Sequence, residues 1–425
     1  MELKNKIKLI RTKKGLTQSA LAQAMGYSDT NLSHMERGTR NISSAVLDAF
    51  RKAVGLPGVP ITPKEVTHFK ELLFSWKDNL DRNELDKAKE RQPELARNAE
   101  WSYEPELLTY YNIFSAGYYR KIKDTDAHKK IMDLLREKVH CFDNEQSYWY
   151  YRQVGIDKLS AWRYKEALVA YFKADKLAKH LHLDNTSLYY HIAYCLTDMG
   201  YAYHANDYLE MMLTRTHKKS INTYYVQIQS YLASNISYFG KADEALAMLN
   251  DCIREEESKK NAAESIGALY RRIALVHRLM GNFNEAIKNL DVATKYYEAN
   301  SDSQGYLLYH KALVLFEANQ VSDGMKHLNS ALSLIKECTL WDLLATSLKH
   351  SRSLDNKSSL KYIERITIPK LFEYGRYREL LMYYNILCSH YEAINNYKQS
   401  LAYIRLAHNT ANELTQGVMI NEKTV

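Results

Sequence analysis

The sequence predicts an all-α chain in two parts: an N-terminal helix-turn-helix domain followed by a right-handed superhelix of paired helices. Three observations carry this. Residues 15–38, GLTQSALAQAMGYSDTNLSHMERG, read as two short helices joined at a glycine. Beyond Tyr148, small and aromatic residues recur at a spacing of 38 to 41 residues. Helix breakers are scarce, with 6 Pro and 15 Gly, while 34 Tyr form an excess that packing sites must explain. At 425 residues the chain exceeds one ordinary core, so several domains or a repeat array are required.

Taken in order, Thr17 caps a helix that turns Ala20, Leu21 and Ala24 inward, and Gly26 supplies the tight turn. Ser28 caps the next helix, which buries Leu32 and Met35 and leaves Asp29, Thr30, Ser33 and His34 outward near its N-terminal half. That is where a recognition helix presents side chains to base edges. Ser43 begins a further helix whose Val46, Leu47, Phe50 and Val54 close the core, and Gly55 ends it. The head is thus 1–56. Three of the six prolines, Pro57, Pro60 and Pro63, mark 57–63 as a stiff linker. Thr62-Pro63-Lys64-Glu65 is a helix start with cap, N1 proline and capping-box glutamate, so a second domain runs 64–415, ahead of a tail at 416–425.

Residues 64–147 keep a helical period without a clear repeat. The best-formed repeat is 270–293, where Ala274, Ala286 and Ala293 let two helices approach and Phe283 plugs the turn, a pattern resembling the tetratricopeptide repeat. Its spacing exceeds the usual 34 residues, which predicts extended loops between helices. Between 340 and 380 the register weakens, and Pro369 opens a helix.

Charge is unevenly placed. Residues 1–56 hold ten Lys/Arg against four Asp/Glu, while the remaining 369 hold 48 against 46. The basic footprint therefore coincides with the helix-turn-helix, as phosphate attraction requires. No apolar run of membrane-spanning length and no signal-peptide core is present, which predicts a cytoplasmic protein with no membrane partner. Five scattered Cys without C-x-x-C read as buried thiols and exclude a disulfide framework or zinc site. Neither H-E-x-x-H, Walker, G-x-S-x-G nor G-x-G-x-x-G motifs occur, so no catalytic residue, metal or cofactor is expected.

The run G-L-T-Q, L-A, G-Y-S-x-x-x-L-S-x-M-E-R-G resembles the phage-repressor or XRE class of DNA-binding domains over roughly the first 56 residues. That resemblance implies that Gln18 anchors the first helix to a phosphate and that Asp29, Thr30 and His34 read bases. It implies that Asn31, Arg37 and Arg40 contact backbone and that Arg11 pairs with Glu36 structurally. Ser28 and Ser33 complete the expected DNA-facing set. ITIPKLFEYGRYRELLMYYNILCSHYEAINNYKQSLAYIRLA resembles the closing repeats of the Rap, NprR, PlcR, PrgX and Rgg peptide-responsive family, and the head-plus-repeats plan is most similar to NprR-like members. The family implies a homodimer on double-stranded operator DNA whose repeats bind a short imported signalling peptide. A protein partner such as a response regulator, docked on 64–147, is the alternative.

Counting concave positions of each first helix gives the groove residues Arg152, Gln153, Tyr190, His191, Tyr194, Gln227, Tyr231, Arg271, Arg278, Tyr309 and His310, with Trp149, Arg272, Tyr306 and Asn385 beside them. Amide and guanidinium groups suit a peptide's backbone and carboxylates, and Tyr faces bury its side chains. Arg271, Arg272 and Arg278 repel one another, and no acid lies at i±4 of Arg271 or Arg278, which marks them as the anchor for an anion.

Overall fold

The computed structural model describes residues 2–183, 185–215, 218–259 and 262–415, the side chains of 215–224 excepted. The tail expected at 416–425 lies outside the described residues. Among those described there are helices and connections and no strand. The chain divides into two compact units, Met1–Gln153 and Val154–Val425.

The first unit opens with α1 (Leu3–Lys13), α2 (Gln18–Met25), α3 (Asp29–Arg37) and α4 (Ser44–Val54). The boundaries follow from cap chemistry. Thr17, Ser28 and Ser43 each accept a backbone N–H of the first turn, and Gly26, Gly38 and Gly55 end the helices in the left-handed conformation. Then come α5 (Pro63–Asp81), α6 (Leu85–Trp101), α7 (Pro105–Lys121), α8 (Thr125–Lys138) and α9 (Asn144–Ser160), within which the division falls. Thr62 and Glu65 form the full capping box that starts α5.

The segment 57–63 is not the bare linker its prolines suggest. Val59 and Ile61 are 0% and 1% exposed and belong to the head's own core, with Leu56 beside them and Trp101 and Tyr103 packed against it. Lys6, itself buried, donates to the Ile61 carbonyl at 2.8 Å and pairs with Glu104 at 2.5 Å. The compact unit runs on to near 153, and apolar side chains on either side of the prolines share one core.

The second unit continues with α10 (Tyr164–Leu181) and the hairpins α11 (Thr186–Met199) with α12 (Ala202–Arg215), α13 (Lys218–Ser237) with α14 (Ala242–Glu257), α15 (Ala263–Leu279) with α16 (Phe283–Thr294), and α17 (Asp302–Glu317) with α18 (Val321–Leu334). It closes with α19 (Leu340–His350), then α20 (Lys357–Tyr362) and α21 (Ile368–Tyr374) joined by a π-helical stretch at Ile363–Thr367, and the hairpin α22 (Tyr377–Ala393) with α23 (Tyr397–Thr415). The long repeat spacing resides in the helices, such as the 20 residues of α13, and in connections such as 295–301, while turns inside hairpins stay short, as at Gly200-Tyr201. Extended loops throughout are thus corrected to long helices. Cys141 and Cys338 are exposed rather than buried; Cys195 and Cys252 fill core positions.

Much of the Tyr excess sits in packing, where Tyr164, Tyr171, Tyr189 and Tyr383 are at most 1% exposed. Small residues receive these rings: a Cβ at Gly155 would overlap the Tyr171 ring. Gly155→Ala is therefore expected to destabilise the second unit by about 1–3 kcal/mol, read as a lower urea midpoint of the full chain with unchanged m-value.

Candidate functional site

Two surfaces hold the candidate residues. On the head, α3 presents Asp29, Thr30 and Arg37 exposed, with Asn31, Ser33 and His34 half-buried beside them. Several are already engaged. Ser19 donates to Asp29, His34 Nδ1 lies 2.9 Å from the Thr39 hydroxyl, and Arg37 donates to the Ser33 carbonyl and hydroxyl at 3.2 and 2.9 Å. Arg40 pairs with Asn31. Ser28 is occupied as the cap of α3.

Arg11 and Glu36 form the expected structural pair, at 2.6 and 3.0 Å through Nε and Nη2. Burial pushes the Glu36 carboxyl up, but the hydrogen bonds from Arg11 and Gln18 and the Arg11 charge outweigh it and hold the carboxyl below the usual range. Gln18 also takes part in this pairing. Its amide nitrogen donates to Glu36 at 2.7 Å, so one of its donors ties α2 to α3. The basic footprint is also smaller than composition suggests, because Lys6, Arg11 and Arg51 are held in ion pairs with Glu104, Glu36, and Asp48 and Glu65. Lys8, Lys14, Arg37, Arg40 and Lys52 remain exposed.

The second surface is a cavity of about 650 Å³ in the second unit, walled by α11, α13, α15, α17, α22 and the end of α23. Eight of the expected groove residues line it: Tyr194, Tyr231, Arg271, Arg272, Arg278, Tyr306, Tyr309 and His310. Arg272 lies over the Tyr231 ring at 4.0 Å and donates to Ser234 at 2.8 Å, while Tyr190 and Tyr194 meet Tyr231 edge-on at 5.9 and 5.5 Å. Tyr309 and His310 meet Trp341 at 5.9 and 5.5 Å.

Other expected residues are placed elsewhere. His191 stacks on Tyr171 of α10, and Tyr190 and Gln227 stand off the cavity wall. Arg152 and Gln153 belong to the first unit, each 8% exposed, with Arg152 over Trp149 at 4.9 Å. A count of concave positions selects a face of each helix but not which face residues a neighbouring ring has already claimed. Arg278 is corrected in a second way: Glu317 of the next repeat takes it in a two-point ion pair at 2.7 and 2.6 Å. The acid absent from its own helix comes across the repeat interface.

Sequence reasoning missed Trp162, Asp198, Trp341, Arg376, Arg378 and Glu379, all on the cavity wall. Arg376 bonds Glu379 and lies 3.6 Å from Asp198, which accepts the Tyr164 hydroxyl at 2.6 Å. The signal available was G-R-Y-R-E after Gly375 and D-M-G before Gly200: charges hugging hairpin turns, which read as solvated.

Both His310 ring nitrogens are buried without a hydrogen-bond partner. Burial, with the charges of Arg271, Arg278 and Arg376, pushes its pKa well below the ordinary value, so it stays neutral. Because the folded value is lowered, its contribution is present above the unfolded pKa of about 6.5 and is lost as pH falls below that. The unfolding free energy, read by urea titration, should decline between pH 7 and 5.5, with a slope reaching about 1.4 kcal/mol per pH unit from this group. His310→Phe should leave the smaller share of His350, whose pKa is lowered by partial burial and Lys349.

A helix-turn-helix family model, HTH_3, matches residues 7–59. Over 361 residues the chain is 19% identical to the transcriptional activator NprA of Geobacillus stearothermophilus, covering 80% of this chain and 86% of NprA. Its fold is similar to that of a Rap protein complexed with competence and sporulation factor, at TM-score 0.71 and 14% identity over 82% of this chain and 99% of that one. NprR in complex with its cognate peptide NprX gives 0.70 and 18%, over 83% and 99%. The apo form of the quorum sensor NprR from B. thuringiensis gives 0.60 and 19%, over 82% and 99%. The chain thus combines a head that matches HTH_3, a likeness to NprA along most of its length, and a fold similar to that of Rap and NprR.

Proposed function

We propose that the chain is a transcription regulator that reads operator DNA with α3 and binds a short anionic signalling peptide in the cavity of its second unit, the peptide altering its hold on DNA. The observation that carries this reading is the cavity wall itself: five arginines and two tryptophans against three carboxylates, with tyrosine faces between them. Such a wall takes carboxylates by bidentate guanidinium contacts and side chains by stacking on rings that lose little entropy. Tyr194, Tyr231, Arg271, Tyr309 and His310 are the proposed contacts, and Arg278 supports them through Glu317. The complexes of NprR with NprX and of Rap with competence and sporulation factor support the choice of a peptide.

On the head, Thr30 and His34 are the proposed base readers, and Asn31, Ser33, Arg37 and Arg40 the backbone contacts. One head buries little surface, so specific binding needs a homodimer on two half-sites about 34 Å apart or a multiple of a helical turn. Sequencing the genomic fragments retained by the protein, with and without peptides fractionated from spent culture medium, tests both halves. The expected result is a paired motif whose retention changes with one peptide fraction. Thr30→Ala and His34→Ala should relax sequence preference by about 1–3 kcal/mol per lost base contact. Fragments without a shared motif, or variants with the parent's preference, would reject α3 as the reading helix.

A further inference from the structure

The cavity's charge is not evenly matched. Arg376 is held by Glu379 and Asp198, Arg278 by Glu317, and Arg272 by the Tyr231 ring and the Ser234 hydroxyl. Arg271 makes no ion pair among the described residues; its neighbour is the Tyr297 hydroxyl. Arg378 makes none either, and its Nη2 is buried with no hydrogen-bond acceptor.

Arg378 is nevertheless fixed in place. Its guanidinium lies 3.5 Å from the Tyr238 ring centroid, and its stem crosses Gly200, where a Cβ would stand 3.0 Å from Cγ and 3.4 Å from Nε. A Cβ there would press on the Arg378 stem and displace it by a few tenths of an ångström. Leu414 closes the same spot from the other side, 3.1 Å from that Cβ position. A positioned guanidinium with a buried, unused N–H on the wall of a cavity is built to receive an anion, since leaving the donor unmet costs stability whenever the site is empty.

Resting on the peptide reading above, we propose that Arg378 is a second anion subsite of this cavity, so that the ligand is a peptide with two carboxylates, one for Arg271 and one for Arg378. The two lie on different walls. Arg271 is two helical turns before Arg278 on α15, whereas Arg378 meets the C-terminal ends of α11 and α13 at Gly200 and Tyr238. One carboxylate can therefore be a side chain and the other either a second side chain or the peptide's C-terminus.

Affinity selection from a randomised heptapeptide pool on the full chain tests this, run with a free-acid pool and with a C-terminally amidated pool. The parent should enrich peptides carrying two carboxyl groups. Arg378→Gln should enrich peptides with one and bind the parent's best peptide at least tenfold more weakly, and Arg378→Lys should recover part of that loss. If the amidated pool yields two acidic side chains where the free-acid pool yields one, the C-terminus is the second anion; if both yield two, it is a side chain. Equal acid content in the peptides enriched by the parent and by Arg378→Gln overturns the second subsite while leaving peptide binding intact. No enrichment on the parent at all overturns the peptide reading, and the subsite with it. An unchanged melting temperature of Arg378→Gln without peptide separates a lost contact from a lost fold.

Discussion

Arg376→Met is expected to destabilise the second unit by about 3 kcal/mol, because it leaves Asp198 and Glu379 facing each other with no cation between them. The arginine joins the start and end of the unit. Tyr164 of α10 donates to Asp198, Asp198 faces Arg376, Arg376 bonds Glu379, and Trp162 meets Trp341 at 5.9 Å. Burial works against the charged guanidinium, but Glu379, Tyr164 and Asp198 outweigh it and raise its pKa well above the ordinary value. The side chain of Asp198 keeps 29% exposure, so water recovers part of the cost there, and Glu379, at 19%, carries the larger share. Arg376→Lys should recover part of the loss, since a point charge serves one carboxylate and not a fork of two. The check is a urea titration of the full chain together with the double variant Arg376→Met, Glu379→Gln. That double variant should be less destabilised than the sum of the singles. Additive losses would remove the ion pair from the account.

Glu104→Gln is expected to cost the first unit about 3–5 kcal/mol, the penalty for stranding a buried ammonium. Lys6 is 1% exposed, and its remaining acceptors, the Ile61 carbonyl and an amide oxygen at position 104, would both be neutral. Lys6→Met should cost much less, because its stem already packs in the core and Glu104 is closer to water. Burial pushes the Glu104 carboxyl up, but the hydrogen bond and charge of Lys6 hold it below the usual range. With the folded value lowered, the stabilisation is complete above the unfolded glutamate pKa of about 4.3 and disappears as pH falls through the folded value. The parent should therefore lose stability below pH 4.3 more steeply than Glu104→Gln does. Parallel acid profiles would show that the pair contributes nothing. The same ion pair limits what truncation can achieve. A chain begun at 64 would uncover Trp101 and Tyr103, so it is expected to be less soluble than the full chain despite the intervening prolines.

Local chemistry made the head legible. Caps at Thr17, Ser28, Ser43 and Thr62 and left-handed glycines at 26, 38 and 55 are decided by residues within one turn of one another. The Arg11–Glu36 pair was legible through the resemblance alone. In the repeats, small residues at Ala274, Ala286 and Ala293 mark where helices touch, and these are all fully buried. Part of the cavity was legible as well, because Tyr194, Tyr231, Arg271, Tyr309 and His310 follow from helical period.

The sequence by itself therefore determined the all-α class, the ends of the head's helices, the pairing of the best-formed repeat, and part of the face the repeat helices turn inward. Those depend on backbone capping and 3.6-residue periodicity, which act over short separations. Only the tertiary structure decided which charges are free. Glu317 reaches Arg278 from the next repeat, Asp198 meets Arg376 across the length of the unit, Glu104 neutralises Lys6 beyond three prolines, and Gly200 makes room for Arg378. An ion pair depends on distances of 2.5 to 4 Å between chain segments that no local rule relates, so the partner of a charge is fixed only when the superhelix brings distant turns together.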